Sequence, residues 1–250
     1  MDQQFLRVGL CGWQTSQAVY YQNFDLIEIN SSFYKLPQTK TAQRWREQAP
    51  KDFMYTMKAL QVITHEPYSP TYAKGGLDIP GSEWKFYGSF RPSPQVHAGW
   101  MKTLEIARIL RAPAVVFQCP AQFTPTKEHI SNLRAFFTSI ERDNILCAWE
   151  PRGPEWSTEL VHDLCRELDL FHCLDPFLGV PAFGSPRYFR LHGSPDMYRS
   201  AYGRDRLKAI LQRVMAAGEV GAERWVIFDN TASGAAAADA LALARMARSA

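Results

Sequence analysis

Eight short apolar runs recur along the chain, and nearly every one closes on polar or charged residues that a fully buried strand does not carry. They read VGLCGW (8–13), LIEINSSFY (26–34), FMYTMKA (53–59), AVVFQCP (114–120), LCAWEPR (146–152), HCLDP (172–176), YFRLHG (188–193) and WVIFDN (225–230). Helical spacing separates most of them, at 41–48, 96–110, 126–140, 157–168, 205–218 and 234–249, with a weaker stretch at 14–25. The link after Asp175 is rich in Pro and Gly and reads as short or irregular. Strands alternating with helices imply a parallel sheet. Eight such units in 250 residues predict one α/β domain, residues 1–250, closed as a TIM-type (β/α)8 barrel. The rival doubly wound sheet announces itself by a Gly-rich turn after the first strand. No GxGxxG or Walker A pattern occurs, so nucleotide cofactors held by those loops are not expected.

One segment breaks the rhythm. Residues 66–95, after the third strand, carry five prolines, four glycines and the aromatics Tyr68, Tyr72, Trp84, Phe86, Tyr87 and Phe90. A connection of that length is functional or disordered, and its aromatic content argues against disorder. It leaves the C-terminal end of a strand, so it reads as a lid or stacking wall at the barrel mouth, with a subunit contact as the rival.

The polar residues that close the strands identify where chemistry is expected. Glu28, Asn30, Lys58, Gln118, Glu150, Arg152, Asp175, Arg190, His192 and Asn230 all fall at C-terminal strand ends, which converge on one mouth in such barrels. Side chains two apart on a strand share a face, so Glu28 with Asn30, Glu150 with Arg152, and Arg190 with His192 are predicted to point together. A structural ion-pair network accounts for any one of them, but so many buried charges would cost desolvation without adding stability. Arg152 and Arg190 suit two-pronged grip of a phosphate or carboxylate, and Lys58 adds a point charge. Glu150 is the first choice for general base, with Glu28 as the other base and Asp175 among the catalytic carboxylates. His192 is assigned as acid. His65, closing the VITH run before the insertion, is either an acid–base group or a hydrogen-bonded structural residue. The TASG segment (231–234) reads as an ordinary helix cap or as a backbone anion site.

The remaining sequence features exclude more than they assign. A formal charge of +3 is too small to imply a nucleic-acid partner on its own. The five cysteines, Cys11, Cys119, Cys147, Cys165 and Cys173, contain no CxxC pair and read as buried thiols. The N-terminus lacks a secretory pattern and no apolar run is long enough to span a membrane, so a cytoplasmic protein is expected. Glu28, Glu150, Asp175, His65 and His192 are suitable donor types for a divalent metal, but no ligand motif spaces them and three basic residues stand among them, so no metal is assigned.

In combination the motifs resemble the YecE-like family, or domain of unknown function 72. These are GW, EINSSFY (28–34), ITH (63–65), FQxPxxF, ExRxxxW, RLHG (190–193) and FxNxxxGxA. The resemblance runs from the first strand to the last helix and implies a TIM-type barrel with a polar mouth, without implying an activity. Its pattern matches Glu28, Asn30, Ser31, Tyr34, Lys58, Thr64, His65, Gln118, Glu150, Arg152, Trp156, Asp175, Arg190, His192, Gly193 and Asn230. On this basis Asn30, Tyr34, His65, Gln118, Trp156 and Asn230 join the substrate-binding set. Asp229 and Asp239 depart from it, standing where the family often has Asn; the connection after the first strand is short and the 66–95 insertion differs from the commoner form.

The resulting expectation is an enzyme acting on a small or medium anionic substrate by acid–base or hydrolytic chemistry. Two alternatives stand beside it: metal-assisted phosphodiester cleavage, and a binding module in which the insertion's aromatics stack on bases or sugars.

Overall fold

A computed structural model describes residues 6–193, 196–218 and 221–249. Eight parallel strands close into a barrel in sequence order: β1 (Leu6–Cys11), β2 (Leu26–Ile29), β3 (Met54–Lys58), β4 (Ala114–Gln118), β5 (Leu146–Glu150), β6 (Leu170–Leu174), β7 (Arg187–Leu191) and β8 (Arg224–Phe228). Closure is made by β1 against β8, with Leu6 opposite Arg224 and Leu10 opposite Phe228. The helices are α1 (Gln17–Asn23), α2 (Thr39–Gln48), α3 (Pro70–Lys74), α4 (Pro94–Leu110), α5 (Lys127–Ser139), α6 (Thr158–Leu168), α7 (Gly203–Ala216) and α8 (Ala236–Ser249). No helix among the described residues is long and apolar enough to cross a membrane.

The helix starts follow from local chemistry. The 126–140 and 157–168 stretches open on Thr126 and Ser157, residue types that favour a helix N-cap, and these accept hydrogen bonds from the His129 and Leu160 amides at the starts of α5 and α6. Ser93 caps α4 through the Val96 amide, with Pro94 in the first turn, where its missing N–H costs nothing.

Strand alternation sorts the barrel into an inside and an outside. Val8, Leu10, Ile27, Tyr55, Val115, Phe117, Trp149, Phe189, Val226 and Phe228 face the helices in the large core. Leu26, Ala114, Val116, Ala148, Phe171, Cys173, Tyr188, Trp225 and Ile227 form a separate cluster with Cys11 in the lumen. That apolar plug fills the lower barrel, as stacked side-chain layers do in this architecture. Gly9 of β1 permits close approach to β2, since a Cβ there would lie 2.1 Å from the Leu26 carbonyl oxygen.

Two strand boundaries differ from expectation. The LIEINSSFY run leaves the sheet after Ile29 and turns into a 3-10 helix over Asn30–Phe33. The sixth strand begins two residues earlier than expected, so His172 lies mid-strand, and its ring accepts from the Ala182 amide beside the helices. His172 therefore faces the helices and not the mouth.

The 66–95 insertion is ordered by anchors to residues 62–66. The Gly88 and Phe90 amides donate to the Val62 and Ile63 carbonyls, Tyr72 Oη donates to the His65 carbonyl, and Arg91 pairs with Glu66 at 2.7 Å. Gly88 has a φ of 72°, and a Cβ there would meet the His65 carbonyl oxygen at 2.4 Å, so only glycine fits. The aromatics divide between two jobs: Tyr72 and Phe90 are buried anchors, whereas Tyr68, Trp84 and Phe86 are exposed.

The first two strands depend on one buried hydroxyl. Tyr20 Oη accepts from the Leu10 amide and donates to the Leu26 carbonyl, both at 2.9 Å. Tyr20→Phe strands both backbone groups, and urea unfolding should show a loss of about 1–3 kcal/mol; an unchanged midpoint would contradict this role.

Candidate active site at the barrel mouth

The top layer of the lumen is organised around one guanidinium. Arg190, on β7, has no exposed surface. Its Nε donates to both oxygens of Glu28 at 3.2 and 3.0 Å, and Nη2 reaches Glu28 at 2.8 Å. Nη1 donates to Glu150 at 2.7 Å and to Gln118 at 2.9 Å, and Nη2 also contacts Asp229 at 3.1 Å and Cys11 Sγ at 3.3 Å. Strands β2, β4, β5, β7 and the end of β8 are thus tied across the barrel at one point. Tyr188, one layer below, donates to Glu28 at 2.8 Å and bonds the Thr56 hydroxyl.

A second tier lies above. His192 sits between two carboxylates, Nε2 3.0 Å from Glu150 and Nδ1 3.1 Å from Asp229. Arg152 holds Glu150 through Nε and Nη2, packs Nη2 against the His192 ring, and donates from Nη1 to Tyr198 Oη at 3.2 Å. The Tyr198 ring meets His192 edge-on at 5.7 Å.

These contacts set the protonation states. Burial opposes ionisation of Glu150, but the guanidiniums of Arg190 and Arg152 and the imidazole of His192 outweigh it and hold the carboxyl well below its usual range. Asp229 is likewise buried, and Arg190 and His192 bring it down to about 2. His192 is raised despite its burial, because Glu150 and Asp229 favour the imidazolium.

Lys58 and His65 form the other side of the mouth. Burial and then the nearby Arg190 charge lower Lys58 to about 8, against the opposing pull of Asp229. Its ammonium lies 4.1 Å from the Phe33 ring centroid, and no carboxylate among the described residues pairs with it. The His65 ring packs edge-on against the same Phe33 at 4.8 Å, and its Nδ1 bonds the Thr64 hydroxyl at 2.8 Å. Burial, then Lys58 and Arg152, lower His65 to about 3, so its imidazole is neutral.

The geometry brings Glu28, Glu150, Arg190, His192, Arg152 and Gln118 into one bonded network, with Lys58 and His65 beside it. Several roles expected from sequence are corrected. Arg190 cannot grip an external anion while its donors are filled by Glu28, Glu150, Asp229, Gln118 and Cys11, so it is a positioning residue. Glu150 is a poor general base, since three cationic groups hold its charge. Asp175, expected among the catalytic carboxylates, has both oxygens on backbone: Oδ2 accepts from the His192 amide and Oδ1 from the Phe177 amide.

Trp156 is buried, with Nε1 donating to the Phe123 carbonyl and its ring stacked on Phe123. Asn30 starts the 3-10 turn, so the alternation that aligned it with Glu28 is broken; its side-chain oxygen is buried and has no hydrogen-bond partner among the described residues. Asn230 donates to Ser200 and Asp239 and braces the loop above β8. Tyr34 accepts from Lys74 of the insertion at 3.2 Å, linking the mouth to α3. The TASG amides of Ala232 and Gly234 donate to the Tyr198 and Thr231 carbonyls, which leaves no anion cradle of those two groups.

Sequence reasoning missed Asp229 and Tyr198 as members of the site. Asp229 was legible as an unexpected carboxylate in a strand-closing position. Tyr198 lies in a loop where no periodicity applies. The acidic donors meet Arg190, so a divalent cation placed among them would share its ligands with a guanidinium. Among the described residues no group of three or more His, Cys, Asp or Glu is arranged to hold a metal.

Comparison with known proteins agrees with this architecture. The family described as protein of unknown function DUF72 matches residues 7–250. The UPF0759 protein YunF of Bacillus subtilis (strain 168) is 24% identical over 164 residues, 60% of this chain and 51% of YunF. The UPF0759 protein YecE of Escherichia coli (strain K12) is 33% identical over 63 residues, 25% of this chain and 22% of YecE. The matched region thus spans about half or less of these curated relatives.

A DUF72 family protein from Enterococcus faecalis V583 superposes with a TM-score of 0.74 at 19% identity, covering 98% of both chains. A D-psicose 3-epimerase gives 0.58 at 12% identity over 97% of each chain. Endonuclease IV from Thermus thermophilus gives 0.52 at 13% identity over 98% of each chain. At such identities the likeness shows a common barrel fold.

The central clamp has a pH signature. Arg190→Met leaves Glu28, Glu150 and Asp229 buried without their counter-charge, which should cost about 3–5 kcal/mol at neutral pH. Without the guanidinium, burial raises the folded-state pKa of Glu150 and Asp229 above the unfolded value. Their contribution is then favourable at low pH and lost as pH rises through the raised value. The variant should therefore gain stability relative to wild type on going from neutral to mildly acidic buffer in urea titrations; a penalty independent of pH would contradict the clamp.

Proposed function

Since this chain belongs to the DUF72 family, whose description assigns no activity, we propose its function from the chemistry of the mouth: an enzyme that binds a phosphate- or carboxylate-bearing small molecule and acts on it by acid–base or hydrolytic chemistry. The observation that carries this reading is Lys58, a lumen-facing ammonium with no carboxylate partner among the described residues, placed where Arg152 also raises the potential. An anion arriving there meets a charge that the protein has not already neutralised.

The roles follow from what each group has free. Lys58 and the outer edge of Arg152 attract the anionic group. His192, held as imidazolium between Glu150 and Asp229, is the proton donor. Lys58 in its neutral form and the neutral His65 are the groups with a lone pair to accept a proton. Glu28, Glu150 and Asp229 act through Arg190 and His192 by fixing their position and charge. Arg190, in this reading, has exchanged ligand binding for preorganisation, which lowers the reorganisation needed at the reacting centre. The three exposed aromatics of the insertion lie on the element joined to the mouth by Lys74 and Tyr34, which supports a role for it in covering the substrate.

The pH dependence has a fixed sign. Lys58 carries its charge below about 8 and loses it above, so anion binding is strongest at lower pH. In a thermal-shift panel of phosphate- and carboxylate-bearing metabolites, a bound anion at a hundredfold excess over its Kd should raise Tm by about 5–10 °C. That gain should shrink as pH passes through about 8, and Lys58→Gln should remove the pH-dependent part. A panel without a single stabilising anion, or stabilisation indifferent to Lys58, would refute the reading.

A further inference from the structure

We propose that Lys58 is a nucleophile that condenses with the carbonyl group of a phosphate- or carboxylate-bearing aldehyde or ketone, forming an imine at the barrel mouth. The inference rests on the anionic-substrate reading above and narrows its substrate class.

The placement is the first argument. Lys58 ends β3 on the lumen side and is 6% exposed, so its amine lies within the barrel mouth rather than on the surface. An imine-forming amine must keep a lone pair available, and two features favour this. Glu28 and Asp229, the carboxylates near enough to influence Lys58, are turned onto Arg190 instead of pairing with the ammonium. Arg190 itself adds a fixed positive charge close by, which disfavours the protonated amine, as a neighbouring cation does for reactive lysines generally. Phe33 supports the stem and ammonium on one side.

The competing nucleophiles are worse placed. The Cys11 thiol is tied to Glu28 and Arg190, and burial pushes it well above its ordinary value. Glu150 is held by three cationic groups. A carbonyl compound with its anionic group toward Arg152 therefore meets Lys58 as the available electron pair.

The step balances without a redox partner. The neutral amine forms an N–C bond while the carbonyl π pair moves to oxygen, which takes a proton; loss of one Nζ proton to solvent gives the carbinolamine. Protonation of its hydroxyl, for which the His192 imidazolium or solvent is the donor, expels water. The nitrogen pair then closes the C=N bond and leaves a protonated imine. That cation accepts the electron pair of a bond broken at the adjacent carbon, which places the reaction among aldol-type cleavages, condensations or enolisations.

The test is borohydride trapping on the intact chain. Pyruvate, glyoxylate and dihydroxyacetone phosphate are each incubated with the protein, reduced with sodium borohydride, and mapped by peptide mass spectrometry. Labelling of Lys58 should exceed that of any exposed lysine by on the order of a hundredfold, because far more of it is neutral near pH 7. Its labelling rate should rise through a midpoint near 8, whereas exposed lysines rise toward about 10.4. Loss of the adduct in a folded Lys58→Met variant completes the assignment; the wild-type pH profile serves if that variant does not fold.

Labelling of Lys58 no greater than that of exposed lysines, with all three probes, overturns the proposal. Inorganic phosphate, which has no carbonyl, separates the two readings. Thermal stabilisation by phosphate without an adduct overturns imine formation and leaves the anion site standing. Absence of both removes both.

Discussion

A single buried guanidinium sets the terms for the rest of this barrel. Arg190 lies in the lumen with Glu28, Glu150 and Asp229 around it, drawn from strands on opposite sides of the sheet. Each carboxylate alone would be too costly to bury, and so would the arginine. Together they neutralise one another well enough to form a rigid polar layer above the apolar plug. Because truncating one partner leaves the others uncompensated, the layer is fixed as a unit. The strand ends it joins are held in register by charge as well as by the β ladder.

That layer divides the mouth into groups that are spent and groups that are free. Glu28 and Arg190 are consumed by each other, and Asp175 by backbone amides. His192 inherits a positive charge from the carboxylates on both its ring nitrogens. Lys58 receives no such partner and feels the charge of Arg190 as a penalty, which leaves it near its own ionisation point at ordinary pH. The same arrangement that ties the barrel top together therefore leaves one amine without a carboxylate partner among the described residues. A surface lysine would have none of this constraint.

The eight-stranded closure was legible because buried parallel strands are short apolar runs and the polar residues closing them repeat at the same relative position. The caps at Thr126 and Ser157 were legible because capping is local. The insertion at 66–95 was recognisable by length and aromatic content, although its division into buried anchors and exposed rings depends on tertiary packing. What the sequence could not supply was the partition of the charged residues. Arg190 suits an external phosphate as well as it suits Glu28 and Glu150, and only the convergence of β2, β5 and β8 decides between them. Asn30 misled because the strand ends one residue before it, and period-two reasoning fails where a 3-10 turn begins. Asp175 and Trp156 misled because their backbone partners, the His192 amide and the Phe123 carbonyl, come from distant segments. Tyr198 carried no signal, since loop residues have no period.

The guanidinium protons of Arg190 give the most direct test of the clamp. Their hydrogen–deuterium exchange can be followed by nitrogen-edited NMR after through-bond assignment of the arginine Nε resonances. With every donor bonded and no exposed surface, the Arg190 Nε–H signal should persist in D2O for hours and disappear only as the whole barrel opens. Exchange as fast as that of the exposed arginines would mean that water reaches the guanidinium freely, and the charge network proposed to organise the mouth would not exist.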